Sequence, residues 1–348
     1  MSAPTRADAV RARVAAARAL ASRERARQGL PESAEAEVGI IGGSGLYDFP
    51  GIADIVEVRP RTPYGPPSDA IVVGTLEGRR VAFLARHGRG HRFLPSEVPN
   101  RANLWSLRLL GVGQAIGVSA CGSMREEIAP RDVVVPDQLI DRTFGRAHSF
   151  FGEGVVGHVG IADPFCPDLS RRAGAAAEAA TRALGGGRTV HRGGAYVTIE
   201  GPQFSTRAES AVHRDWGVAV VGMTAAPEVK LAREAEICFA LLAMATDWDV
   251  WHASEQGVSV QEVVANMTAN VGLAQEAVRR FLGGDLGARD TCPCPWALDG
   301  AVQTAPEARD PKKLAELSLL LGDAGRTGAA GDAGGTGEPG EPGDTGAA

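Results

Sequence analysis

Five segments of the chain combine residue types that do chemistry. Gly42-Gly-Ser-Gly45 follows the apolar run Val38-Gly-Ile-Ile41. Glycines there let backbone amides approach an anion and the Ser44 hydroxyl adds a donor, so the loop suits phosphate, although a tight structural turn accounts for it equally. It lacks the third glycine of a dinucleotide fingerprint, since position 48 is Asp48, and the lysine of a nucleotide P-loop. Arg86-His-Gly-Arg-Gly-His91 stands just beyond the apolar run Val81 to Leu84. It offers a guanidinium fork and an imidazole to phosphate oxygens, or else is a solvated loop. Ser119-Ala-Cys-Gly-Ser123 closes the run Ala115 to Ser119 with small residues, which permit a ligand close to the backbone or simply tight packing. Thr198-Ile-Glu-Gly-Pro-Gln-Phe-Ser-Thr-Arg-Ala-Glu209 leaves a strand through a Gly-Pro turn, with Phe204 able to face a planar base or to pack in a core. Thr246-Asp-Trp-Asp-Val-Trp251 places two carboxylates after a strongly apolar segment. If buried, such an Asp has a raised pKa and can donate a proton to a leaving base; if not, the pair belongs to a solvated turn.

These segments need elements to position them. Short apolar runs between turn signals predict strands at Ala70 to Val73, Val81 to Leu84, Ala115 to Ser119, Val133 to Val135, Tyr196 to Ile199 and Val218 to Val221. Helical spacing marks Ala102 to Leu110, Leu169 to Leu184, Ala208 to Asp215, Glu228 to Ala243 and Val260 to Leu282. The alternation predicts an α/β domain with a mixed central sheet flanked by helices. Residues 1–37 are Ala/Arg/Glu-rich with few large apolar side chains, and read as a flexible extension before a catalytic domain at 38–321. From Gly322 onward every third residue is Gly, but with prolines only at Pro339 and Pro342 the 322–348 tail reads as disordered; a weak triple helix is the other reading.

At 348 residues, 44% apolar and 22% charged, the chain can bury a large core. A formal charge of -6 with no basic block argues against nucleic acid. No apolar stretch is long enough for a membrane span and Thr5 to Gln28 has no secretory apolar core, so the expected location is cytoplasmic. Five cysteines suit free thiols in a reducing compartment. Cys292-Pro-Cys294 is too closely spaced for the usual zinc pair and no Cys or His cluster follows, so metal is not expected there; two loop thiols or a disulfide remain.

Taken together, Ile40-Ile-Gly-Gly-Ser-Gly-Leu46, Thr62-Pro-Tyr-Gly-Pro-Pro-Ser-Asp69, Arg86-His-Gly-Arg89, Ser119-Ala-Cys-Gly-Ser-Met-Arg-Glu-Glu127, Asp163-Pro-Phe-Cys166, Glu200-Gly-Pro-Gln-Phe-Ser205, Gly222-Met-Thr224 and Thr246-Asp-Trp-Asp249 resemble, in this order, the methylthioadenosine phosphorylase branch of the trimeric purine-nucleoside phosphorylase family. The resemblance runs from about Val38 to Leu321. It implies the nucleoside phosphorylase fold, a homotrimer, and phosphorolysis of the methylthio nucleoside to adenine and a sugar 1-phosphate. Phosphate is then a co-substrate and neither metal nor organic cofactor is needed. It also implies that Ser44, Arg86, His87, Ser119, Ala120 and Thr224 bind phosphate, with Arg86, His87 and Asp247 catalytic. The substrate residues would be Phe204, Ser205, Asp247 and Asp249 around the base, Met223 at the ribose, and Ile199. His158, Val260 and Val263 would line the 5′ pocket, with Leu320 reaching it from a neighbouring subunit.

Relatives acting on 6-oxopurines carry Glu at Ser205 and Asn at Asp247. A carboxylate oxygen accepts from a 6-amino group, so Asp247 implies adenine. The apolar Val260 and Val263 imply a methylthio or 5′-deoxy sugar rather than a 5′-hydroxyl. The alternatives are a 6-oxopurine phosphorylase, a hydrolase using water, and a non-catalytic nucleoside-binding protein.

Overall fold

The computed structural model describes residues 5–43, 49–252 and 260–322, apart from the side chains of Val260 and Glu262. The elements, in order, are α1 (Arg6–Arg27), β1 (Val38–Gly42), β2 (Ala53–Val58), β3 (Ile71–Leu76), β4 (Arg79–Ala85), α2 (Asn100–Leu109), β5 (Gln114–Ser123), β6 (Val133–Val135), β7 (Gln138–Arg142), α3 (Pro167–Leu184), β8 (Val190–Arg192), β9 (Ala195–Ile199), α4 (Arg207–Asp215), β10 (Val220–Gly222), α5 (Ala225–Glu234), β11 (Cys238–Asp247), α6 (Val260–Gly283), α7 (Pro311–Glu316) and α8 (Ser318–Leu321).

One mixed sheet organises them, as the alternating pattern predicts. Its spine is β2-β3-β4-β1-β5-β10-β9-β7, and a branch leaves β5 through β11 to β6 and β8. β1 pairs in parallel with β4 and β5, and β5 in parallel with β11, so these four strands end at the same edge. β10 meets the last residues of β5 antiparallel, which brings its own end back to that edge.

Period-two alternation buries both faces. Phe239, Leu241 and Ala243 of β11 join a core with Ile41 of β1 and with Leu104, Leu107, Leu231 and Leu320 from α2, α5 and α8. Cys238, Ala240, Leu242 and Met244 face the other way, with Ile40, against Leu169 and Ala173 of α3 and Leu273 and Val278 of α6.

Two expectations are corrected. Residues 228–243 do not form one helix: α5 ends at Glu234 and β11 starts at Cys238. A strand buried on both faces is a continuous apolar run, and periodicity cannot separate that from a buried helix. The N-terminal segment is not an extension free of the body, because residues 6–27 form α1, packed there with Val10 and Ala21 buried. Arginines anchor it where large apolar side chains are scarce. Arg25 donates to the Leu109 carbonyl at 3.0 Å and pairs with Glu35 at 2.5 Å, while Arg13 pairs with Glu236 at 2.6 Å. The Gly-X-Y tail beyond Gly322 lies outside the described residues.

Candidate active site

The shared edge of β1, β4, β5 and β11 collects most of the chemistry, since strand C-termini in a parallel sheet leave loops and backbone groups facing one crevice. The peptide nitrogen of Arg86 continues the sheet by donating to the Gly42 carbonyl at 3.0 Å. Its side chain is buried and turns across β1 towards β5. Nη1 donates to the Val118 carbonyl at 2.9 Å, and Nε and Nη2 grip Glu228 Oε1 and Oε2 at 2.5 and 3.0 Å. Sequence reasoning missed Glu228, which lies in α5 and reads there as an ordinary helical residue.

His87 is also buried, 6% exposed. Its Nδ1 lies 2.9 Å from the Phe93 carbonyl, which can only accept, so Nδ1 carries the proton. Burial, aided by the neighbouring Arg86 charge, pushes its pKa down to about 4. The neutral ring then offers Nε2 as an acceptor, which corrects the expectation of a second hydrogen-bond donor; Nε2 donates only once the ring is protonated.

Ser119 and Ala120 lie within β5, and Thr224 caps α5. The element that joins them is Tyr196 of β9, a second residue the sequence did not single out. It is fully buried with Oη 3.5 Å from Thr224 Oγ1. Burial pushes its phenol up to about 12, and the nearby Ser119 Oγ is a buried hydroxyl without a hydrogen-bond partner among the described residues. Gly222 makes room for it, because a Cβ there would stand 1.8 Å from the Tyr196 hydroxyl.

Asp247 is the last residue of β11, paired with Gly122 of β5. It is half-buried, between the desolvated and the solvated-turn readings. Thr246 Oγ1 donates to Oδ2 at 2.7 Å and the Asp249 amide to Oδ1 at 2.8 Å, which together fix the carboxylate plane. Gly122 is required, since a Cβ there would come within 2.9 Å of Asp247 Oδ1. Asp249 itself is 3% exposed, and its Oδ2 and the Ser205 Oγ are buried polar atoms without a hydrogen-bond partner among the described residues. One orphaned acceptor and one orphaned hydroxyl are groups that a polar ligand would satisfy.

Arg146 shapes the other wall. Buried, it donates to the carbonyls of Met223 at 2.6 Å, Ala226 at 2.9 Å, Ile199 at 3.2 Å and Glu200 at 2.5 Å, and pairs with the Glu200 carboxylate at 3.2 Å. It thereby ties the ends of β9 and β10 to the start of α5. Met223 packs over the turn at Gly201, whose φ of +69° and 2.5 Å approach of a hypothetical Cβ to the Met223 sulfur both demand glycine. Phe204 on the same turn is 46% exposed.

Val263 is half-buried on α6. Asn266 and Asn270, on the same helical face, donate to the Thr246 and Ala245 carbonyls at 2.6 and 3.1 Å, so this face sits on the end of β11. Other residues are not brought here within one chain. His158 is exposed on a segment whose amide donates to the Ala301 carbonyl. Leu320 is 5% exposed inside the chain's own core, which corrects its assignment to a neighbouring subunit's pocket. Ser44 and the side chain of Val260 fall outside the described residues. A cavity of about 490 Å³ lies instead at the opposite end of β5, under α1 by Arg108 and Arg289, away from these groups.

One further cluster could hold a metal: Cys166, Cys238, Cys292 and Cys294, all buried, with their sulfurs within 4.8 Å of one another. The reading of Cys292 and Cys294 as isolated loop thiols is thus corrected, because their partners precede them in the chain. Among the described residues no helix is long and apolar enough to cross a membrane.

The phosphorylase superfamily model matches residues 37–283. S-methyl-5′-thioadenosine phosphorylase of Geobacter sulfurreducens is 50% identical over 289 residues, covering 83% of this chain and 99% of that protein. The enzyme of that name from Chloroflexus aurantiacus is 52% identical over 273 residues, covering 78% and 92%. Among solved structures, a methylthioadenosine phosphorylase from an antarctic soil metagenomic library aligns with a TM-score of 0.78 at 44% identity, over 82% of this chain and 99% of that one. Methylthioadenosine phosphorylase from Schistosoma mansoni in complex with adenine aligns at 0.70 and 34% identity, over 77% and 99%. With half the residues shared along nearly the whole length of such relatives, the chain belongs to the phosphorylase superfamily, in the branch formed by the S-methyl-5′-thioadenosine phosphorylases.

Proposed function

We propose that the chain catalyses phosphorolysis of S-methyl-5′-thioadenosine to adenine and 5-methylthioribose 1-phosphate, with 5′-deoxyadenosine as a second substrate. The observation that carries this reading is a spacing along β5. Ser119, beside Tyr196 and Thr224, and Gly122, beside Asp247, are three residues apart on one strand, about 10 Å at ~3.3 Å per residue. Groups reaching inward from the two positions leave room between them for a phosphate oxygen and a purine nitrogen on opposite sides of one anomeric carbon. Related proteins carry this activity in their names, and a mutant of an adenosine/methylthioadenosine phosphorylase from Schistosoma mansoni has been solved with methylthioadenosine.

In this reading Arg86, Ser119, Ala120 and Thr224, together with Ser44, hold phosphate with backbone and side-chain donors, and His87 Nε2 accepts from a protonated phosphate oxygen. Phosphate oxygen attacks C1′ as the C1′–N9 bond breaks, through an oxocarbenium-like sugar. Asp247 faces N7 of the departing adenine and relays to it a proton from solvent, to which its half-buried position gives access. Ser205 and Asp249 meet the base edge, Ile199 and Phe204 its faces, Met223 the ribose, and Val263 with Val260 the methylthio group. Phosphate is the nucleophile, so no metal or organic cofactor takes part in the reaction. The exposed His158 completes the 5′ pocket of a neighbouring protomer in a homotrimer, and the buried free thiols suit a cytoplasmic location.

The test is adenine release from methylthioadenosine with and without phosphate, with methylthioinosine and inosine alongside. Release that requires phosphate supports the proposal. Phosphate-independent release identifies a hydrolase, activity on the 6-oxo substrates alone overturns the base assignment, and binding without turnover of any substrate refutes catalysis.

A further inference from the structure

Four of the five cysteines converge at the root of β11, far from the site described above. Cys238 opens that strand, Cys166 is the N-cap of α3, and Cys292 and Cys294 lie on the segment after α6. Their sulfurs lie within 4.8 Å of one another, and the Cys238–Cys292 pair is 3.5 Å apart. A regular tetrahedron with metal–sulfur bonds of ~2.3 Å has sulfur–sulfur edges of about 3.8 Å, so the set already has the size of a four-thiolate metal site. A disulfide needs sulfurs at about 2.05 Å, well inside the separation of that pair.

The surroundings fit as well. The four cysteines belong to one buried apolar cluster that also holds Leu282, Leu286 and Ala277, an environment that excludes water. Arg289, 8% exposed, donates from Nε to Cys238 Sγ at 3.3 Å and from Nη2 to the Glu236 carbonyl. An N–H directed at a ligating sulfur is the outer-shell support that thiolate metal sites use, and a buried guanidinium offsets part of the negative charge left by four thiolates around a divalent ion. The Cys166 amide donates to the Phe239 carbonyl at 2.8 Å, which holds the α3 cap against the strand. Four sulfurs in tetrahedral array select zinc over harder ions.

We propose that Cys166, Cys238, Cys292 and Cys294 form a structural zinc site that fastens the cap of α3, the first residue of β11 and the 292–294 segment together. β11 spans ten residues to Asp247, about 30 Å, so the ion takes no part in the reaction. It fixes the root of the strand whose far end carries the carboxylate.

The experiment uses the full chain without a polyhistidine tag, purified under reducing conditions and passed over chelating resin before elemental analysis. We expect about one zinc per chain, lost in Cys166→Ser and Cys294→Ser. If those variants do not fold, the wild type still decides: a mercurial thiol reagent should release zinc to a chromophoric chelator, and cobalt in its place should show an intense sulfur-to-metal charge-transfer band. Stripped protein should melt several degrees lower and recover with zinc, with kcat/KM at 25 °C unchanged. Metal-free protein with every cysteine alkylated after denaturation overturns the proposal. So does metal-free protein whose intact mass and reduced alkylation reveal disulfides.

Discussion

Arg86 and Glu228 form a two-pronged ion pair, Nε to Oε1 at 2.5 Å and Nη2 to Oε2 at 3.0 Å, with side chains 2% and 1% exposed. The pair fixes the guanidinium across the ends of three parallel strands, so in the proposed reading phosphate would meet a pre-oriented group. Glu228→Ala leaves that cation buried and uncompensated, at a cost of about 3–5 kcal/mol. Thermal melts should record the loss, and any folded fraction should show a raised KM for phosphate. An unchanged melt would mean that the pair is not structural.

His87 makes stability depend on pH. Its folded pKa, about 4, lies below the usual value near 6.5, so the unfolded chain binds the proton more readily. The contribution is fully present above about pH 6.5 and is lost as pH falls towards 4, on the order of 3 kcal/mol at most. Denaturant titrations from pH 7 to 4 should therefore be flatter for His87→Asn than for the parent. Equal slopes would refute the assignment.

Asp247→Asn tests base choice with the fold intact. The amide oxygen can still accept from the Asp249 N–H, and the new NH₂ can donate to Thr246 Oγ1, whose hydroxyl already lies 3.2 Å from the Cys121 carbonyl. Melting should barely move. Adenine release should fall by about 10²–10⁴-fold, the scale of general acid catalysis, while methylthioinosine gains relative to methylthioadenosine. A parent-like rate would remove Asp247 from the mechanism.

Arg146→Lys should behave almost as badly as Arg146→Ala. One ammonium cannot serve four carbonyls and a carboxylate arranged around a planar fork. Steady-state kinetics should show a higher nucleoside KM for both variants, because Met223 and the Gly201 turn lose their common anchor. Full rescue by Lys would show that charge alone matters.

Much of the site was legible in the sequence because strand ends advertise themselves. Short β-type runs stop at small or charged residues, which marks Arg86 and Ser119; Asp247 stands out differently, as a carboxylate closing a long apolar segment. β11 was misread since burial on both faces erases alternation. Glu228, Tyr196 and Arg146 were missed for a different reason. A buried partner of an arginine, a phenol beneath a glycine and a guanidinium gathering carbonyls look ordinary until folding brings distant segments together. The same holds for Cys166 and Cys238, which no local spacing links to Cys292.

β5 touches β1 on one side and β11 on the other, so it pairs residue 114 with 38 and with 238. Loop closure over such separations is slow, and folding rates fall as contacts become less local. A ribosome must therefore have synthesised the chain past Asp247 before β5 can acquire β11, its neighbour on the edge opposite β1 and β10. Until then the finished half presents an apolar, unpaired strand edge to the cell, the kind of surface on which chaperones act and aggregates begin. Efficient production of this protein is accordingly a matter of protecting that one edge during synthesis.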